Sequence, residues 1–151
     1  MTPKVLTIST ERERLPLNSA CVVCGSTNPS GLHIKFYEEH DSVCADWMPN
    51  SDWESFRGTI HGGIVSTVLD EAMSKAIIAQ HWEALTAELK VRLRRRTAPG
   101  ERLHIRGWIV SKHRRRILAE ATLTDANGEE RAHAWGTFLT LPAVQTMTGM
   151  R

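Results

Sequence analysis

No stretch of this chain approaches the ~20 consecutive apolar residues that a bilayer-crossing helix needs. A membrane partner or span is therefore not expected. The opening residues, MTPKVLTISTERERLPLNSA, lack the basic-then-apolar layout and cleavage-like end of a secretory signal. Cysteine is scarce: three residues, an odd number, too few for a secreted disulfide scaffold and suited to a reducing compartment. The expected location is the cytoplasm. Charge of one sign is also missing in bulk, because 19 basic and 17 acidic residues leave a net +2. Nucleic acid is not expected as a partner, since no zinc-finger, helix-turn-helix or RNA-recognition motif accompanies the arginines. Repeats and low-complexity segments are absent as well. What remains is a chain of 151 residues, 41% hydrophobic and 24% charged, long enough for one core without staples.

Residues 1–20 are polar with little periodicity and predict a loose extension or a short surface helix. A single domain is expected over residues 21–145, followed by a tail at 146–151. Within it, Asn28-Pro29-Ser30-Gly31 is turn chemistry. LHIKFY (Leu32 to Tyr37) alternates as a half-buried strand does, and SVCADWMP (Ser42 to Pro49) reads as its antiparallel partner. One long helix follows, from about Gly62 to His81. Four strands complete the chain: TAELKVRLRRR, ERLHIRGWIVSKH, RRILAEATLTD and EERAHAWGTFLTL. Short turns between consecutive strands imply an antiparallel sheet. Only one helix is available to cover its apolar face, so the expected fold is α+β, a curved sheet of about six strands wrapped around a central helix. The stripe Ile64, Val65, Val68, Leu69, Ala72, Met73, Ala76 and Ile77 suits that helix.

The helix carries two unusual features. It opens on two glycines, each costing roughly 1 kcal/mol relative to alanine, and it holds a carboxylate pair, Asp70 and Glu71, at mid-length. The centre of the apolar stripe lies about 130° from each carboxylate, so periodicity does not choose between them. Asp70 shares its side with Ser66 and Ser74, and Glu71 sits beside Thr67 and Lys75. A solvated face with a Glu71–Lys75 pair at i,i+4 spacing is the plain alternative. The first N–H groups of a helix lack internal acceptors, and Gly62 and Gly63 have no side chains to shield theirs. That layout suits an oxyanion at a reacting carbonyl; a tight loop-to-helix turn would explain the glycines equally. Gly62 and Asp70 are separated by ~12 Å along one helix. If both serve one carbonyl they must come from different chains, which predicts a two-fold homodimer.

GTIHGGIVSTVLDEAM resembles the thioesterase motif of the hotdog-fold superfamily, in particular the phenylacetate-degradation (PaaI-type) acyl-CoA thioesterases. The shared features are His-Gly-Gly, an apolar stretch, and an Asp nine residues after the His. The element order is also that of a hotdog fold, and CVVCGSTNPSGLHIKF looks like the N-terminal lead-in of many members. The resemblance covers about residues 21–141. It implies acyl-CoA hydrolysis with no cofactor, in a homodimer that pairs into a dimer of dimers. Gly62 would donate its N–H to the thioester carbonyl, with Gly63 beside it. Asp70 of the partner subunit would act as general base or nucleophile. Thr86 falls where a residue that holds the water is found, and His61 would shape the turn. Relatives commonly carry Asn or Gln six or seven residues before the His, where this chain has Ser55 and Glu54. Trp53 would border the acyl pocket.

The basic clusters RLRRR and KHRRR fit a CoA partner, whose pyrophosphate and ribose phosphate match arginine forks. Arg94, Arg95, Arg96, Arg114 and Arg115 are the candidates; solvated strand ends that discourage edge aggregation are the alternative. Cys21 and Cys24 form a CxxC pair without the second pair that a zinc site normally needs, so no metal is expected, even with Cys44 or His33 nearby. Trp108 and Trp135 are expected to pack the sheet. A non-catalytic acyl-CoA-binding protein is the rival function. An enoyl-thioester hydratase is disfavoured, because its acid/base His would here sit in a turn.

Overall fold

A computed structural model describes residues 19–141 together with the short strand β1, Lys4–Val5. Then come β2 (Tyr37–Glu39), β3 (Ser42–Trp47), a 3-10 turn (Ser51–Trp53) and the helix α1 (Gly62–Ala79). Four long strands follow: β4 (Ala84–Leu93), β5 (Leu103–His113), β6 (Arg116–Asp125) and β7 (Glu130–Thr140). All pair antiparallel in one sheet of order β1-β2-β3-β5-β6-β7-β4. One helix packed on one face of this sheet is the hotdog arrangement.

The core lies where α1 meets the sheet. Val65, Val68, Leu69, Ala72, Met73, Ala76 and Ile77 are buried, as the apolar stripe predicts, and Ile64 packs at its margin. They meet Ile105, Ile117, Leu123 and Phe138 from β5, β6 and β7. Gly107 on β5 lets the helix seat closely: a Cβ there would stand 2.5 Å from the Ala72 carbonyl oxygen. Lys75 is also buried, which the stripe did not foretell.

Three expectations about elements need correction. The strand expected over Leu32 to Tyr37 begins only at Tyr37. Leu32 and Ile34 donate instead to the Val22 and Val23 carbonyls, and His33 takes a positive φ of 53° that breaks the extended run. The N-terminal extension holds a strand, because Lys4–Val5 pairs with β2. The strand after the helix stops at Leu93, where the Arg94 and Arg95 amides both turn to the Arg131 carbonyl. The tail expected at 146–151 and the last residues of the expected domain lie outside the described residues. Among the described residues no helix is long and apolar enough to cross a membrane.

Trp108 and Trp135 pack on the sheet but outside the core. They flank His133, with Trp135 stacked on it at 4.2 Å and Trp108 edge-on at 6.1 Å. Along β7 the alternate residues Ala132, Ala134, Gly136 and Phe138 are the buried ones, so His133 and Trp135 face away from the helix.

Candidate active site

The start of α1 is built by a cap. His61 is the N-cap, and its Nδ1 accepts the Gly63 N–H at 2.9 Å. The backbone His61 carbonyl takes Ile64 and Val65, and the His61 N–H bonds the Trp53 carbonyl at 2.8 Å. This corrects the expectation that both glycine amides are uncovered: the Gly63 amide is capped. The Gly62 N–H alone meets no acceptor among the described residues. Its missing side chain matters too, because a Cβ at Gly62 would stand 2.6 Å from Leu93 Cδ1. Leu93 was not foreseen as a neighbour; a strand leucine thirty-one residues away carries no sequence signal for it.

Trp53, Glu54 and Ser55 come to the same place. Trp53 is half-buried against the core, Glu54 pairs in an isolated bridge with Ile60, and the Ser55 N–H bonds Thr59 O at 2.8 Å. The loop they form leads into His61, and Phe56 stands at its tip, 81% exposed.

Asp70 and Glu71, which periodicity left undivided, meet different surroundings. Asp70 is half-buried and accepts a 2.8 Å hydrogen bond from Thr86 Oγ1 on β4. Burial raises the Asp70 pKa above the ordinary carboxylate value; the Thr86 hydrogen bond opposes this, and the Glu71 charge adds to it. Glu71 turns toward the N-terminal turn, 3.8 Å from Cys21 Sγ and 3.8 Å from Lys75 Nζ. Burial and the Glu71 charge push the Cys24 thiol up to about 12.

Thr86 reaches Asp70 because of a bulge. The β4–β7 register runs Thr86 to Phe138 and then Glu88 to Thr137, skipping Ala87. Thr86 and Leu93 therefore both lie opposite buried β7 residues, Phe138 and Ala132, although one position number is even and the other odd. The result is one strand with two marked ends: Leu93 against Gly62, and Thr86 against Asp70. A Thr86→Val substitution removes the contact that lowers the Asp70 pKa. The carboxyl midpoint, followed by carbon NMR of the Asp70 side chain, is expected to rise; an unmoved midpoint would show that the hydroxyl does not act on it.

The arginines divide into engaged and free. Arg94 pairs with Glu130 at 2.7 Å and Arg95 with Glu129 at 2.9 Å. Arg115 donates to the Thr140 carbonyl. Arg96 and Arg114 have no acidic partner among the described residues, and the Arg96 guanidinium lies beside Gly58 in the loop before α1. The two clusters sit at opposite ends of the sheet, since Arg94 joins β7 at Arg131 and Arg115 joins it at Thr140. One chain does not gather them.

The sequence profile of the thioesterase superfamily matches residues 57–132, half of the chain, from just before His61 into the start of β7. The chain belongs to the thioesterase superfamily. No curated protein matches it by sequence. Among solved structures, a thioesterase superfamily protein matches with a TM-score of 0.77 and 23% identity, covering 80% of this chain and 60% of its own. The present chain thus spans less than two thirds of that relative's length. A hypothetical thioesterase from Streptococcus pneumoniae, solved with coenzyme A, matches at 17% identity with a TM-score of 0.68, covering 72% of this chain and 85% of its own. Two further structures of that protein carry alanine in place of an aspartate and of a threonine. The Escherichia coli PaaI protein of the phenylacetic acid degradation operon matches at 14% identity with a TM-score of 0.67, covering 72% of this chain and 83% of its own. At these identities the likeness is one of fold.

Proposed function

We propose that this thioesterase superfamily member hydrolyses acyl-CoA thioesters at sites formed between two copies of the chain. The observation that carries this reading is the arrangement along β4. Its Leu93 end adjoins the one open helix amide, Gly62, and its Thr86 end adjoins the half-buried carboxylate, Asp70. β4 is an edge strand of ten residues, and Leu85, Leu89 and Leu93 are exposed on it. Such an edge invites pairing with another strand. Antiparallel pairing of β4 with its own copy sets the partner's Thr86 end against this chain's Leu93 end. The partner's Asp70 then approaches Gly62, which the ~12 Å between them along one helix forbids within a chain. The same two-fold axis brings the basic cluster at one end of the sheet toward the cluster at the other. Arg96 and Arg114, whose guanidinium groups have neither a carboxylate partner nor the backbone carbonyl that holds Arg115, are the candidates to hold CoA phosphates.

At such a site the thioester oxygen accepts the Gly62 N–H, and Asp70 takes a proton from water as its oxygen adds to the carbonyl carbon. The C–S bond breaks, and that proton returns to the departing CoA thiolate. Direct attack by Asp70 would give an anhydride that water then opens. A pKa raised by burial makes the ionised carboxylate a stronger base. The coenzyme A held by the Streptococcus pneumoniae relative supports the substrate class. Its aspartate and threonine substitutions stand sixteen residues apart, the separation of Asp70 and Thr86. The PaaI likeness makes aryl-acyl thioesters a natural part of the test set.

The experiment is turnover on a panel of aliphatic and aryl acyl-CoAs, read as release of free thiol. Multiple turnovers with at least one class are expected. Acyl-CoA binding without thiol release would instead make the protein a non-catalytic binder.

A further inference from the structure

We infer that Cys21, Cys24 and Glu71 form a divalent-metal site of zinc type that clips the N-terminal turn to α1. Sequence spacing offers only the Cys21–Cys24 pair, which is half a zinc site. Folding supplies a third donor from fifty residues away. Cys21 Sγ lies 3.8 Å from Glu71 Oε1, and the donor atoms of all three residues fall within 4.8 Å of one another. A tetrahedral zinc with Zn–S near 2.3 Å and Zn–O near 2.0 Å sets donor separations of about 3.5–3.8 Å, so no pair needs to contract by more than about 1.3 Å. Cys44, the other cysteine, lies elsewhere in a group with Glu39 and His104.

The turn that carries the two thiols is held in place without a metal. Gly25 N–H bonds Cys21 O at 3.0 Å, Thr27 N–H bonds Ser19 O at 2.9 Å, and Leu32 N–H closes on Val22 O at 2.8 Å. Val23, between the cysteines, is 2% exposed and belongs to the core. Cys21 and Cys24 themselves stay partly accessible, and both are free thiols. A preset turn spares the ion most of the ordering entropy that site assembly would cost.

The charge balance favours a divalent cation. Two thiolates and a carboxylate around a +2 ion carry a net charge of −1. Lys75, 7% exposed and 3.8 Å from Glu71, is the buried cation that neutralises it. Its ammonium makes no hydrogen bond of ordinary length among the described residues, so the pairing is one of charge and not of close donor geometry. Two sulfurs and one oxygen suit zinc better than calcium or magnesium, which take oxygen sets. Three protein donors leave one tetrahedral position for water. Glu71 adjoins Asp70 on α1, so the clip would hold the helix beside the candidate active site, although the site stands whether or not the chain hydrolyses thioesters.

The test uses the full chain, reduced with a phosphine, loaded with Zn2+ and freed of excess ion. One zinc per chain is expected, with Cys21 and Cys24 protected from maleimide and a thiolate-to-metal charge-transfer band on Co2+ substitution. Cys24→Ser removes a direct donor, so its affinity should fall by more than the roughly 10–100-fold that outer-shell changes cost. Glu71→Gln should weaken binding while the chain keeps its wild-type circular dichroism. Zinc well below one per chain would overturn the proposal. So would affinity unchanged in both variants, or thiols that close into a Cys21–Cys24 disulfide and never take metal.

Discussion

In the Asp70→Asn variant, turnover of acyl-CoA is expected to fall by about 10²–10⁴-fold, the usual contribution of a positioned general base. Steady-state kcat by thiol release measures it, and turnover kept near the wild-type level would remove Asp70 from the chemistry. The amide preserves the shape of the carboxyl and can still accept from Thr86 Oγ1, so loss of activity would not be loss of fold. Stability should move the other way. Burial raises the folded-state pKa of Asp70, so the folded chain holds that proton more tightly than the unfolded chain. A raised carboxylate contributes stability below its unfolded pKa and loses it as pH rises through the folded value. Above its folded-state pKa the ionised Asp70 therefore opposes folding, and asparagine relieves the opposition. A variant that melts slightly higher yet turns over far more slowly is the expected pair of results. The same shift moves the acid limb of kcat/KM upward from the ordinary carboxylate value.

The second large effect is expected from Gly62→Pro, which deletes the one open amide of the helix start. Proline is well accepted at the first helical position, where the N–H has no internal partner. The preceding His61 already has the extended ψ of 130° that proline requires. Loss of an oxyanion donor costs about 10²–10³ in kcat. Volume is the confounder, because any Cβ at this position meets Leu93 Cδ1. Gly62→Ala combined with Leu93→Ala restores the space and keeps the N–H. That double variant should retain most of its activity, while Gly62→Pro with Leu93→Ala should not. Equal activity in the two would assign the glycine to packing alone.

The long elements were legible because their periodicity is strong. The stripe from Ile64 to Ile77 announced a helix against a sheet, and the alternation in the last three strands announced the sheet itself. Four features resisted. The Leu32-to-Tyr37 run alternates like a strand, but the backbone donors of Leu32 and Ile34 are taken by the turn at Val22 and Val23. The bulge at Ala87 reverses the parity of β4, so alternation alone would have pointed Thr86 and Leu93 to opposite faces. And the paired carboxylates are separated by what lies across from them, Thr86 for Asp70 and the cysteine turn with Lys75 for Glu71, which are contacts between distant parts of the chain. The same is true of the glycines. Local sequence marked both as open amides, whereas the His61 side chain closes one and leaves the other.

Whether each site is shared between two chains is tested most directly by mixing two variants that are each expected to be inactive. Asp70→Asn and Gly62→Pro chains are unfolded together and refolded, so that about half of the dimers are mixed. In a mixed dimer one site combines an intact Gly62 from the first chain with an intact Asp70 from the second. Activity is expected to return to about a quarter of the wild-type level, because half of the dimers then carry one good site of two. If Gly62 and Asp70 of the same chain formed the site, every site would still hold one damaged residue, and the mixture would stay as inactive as its parts.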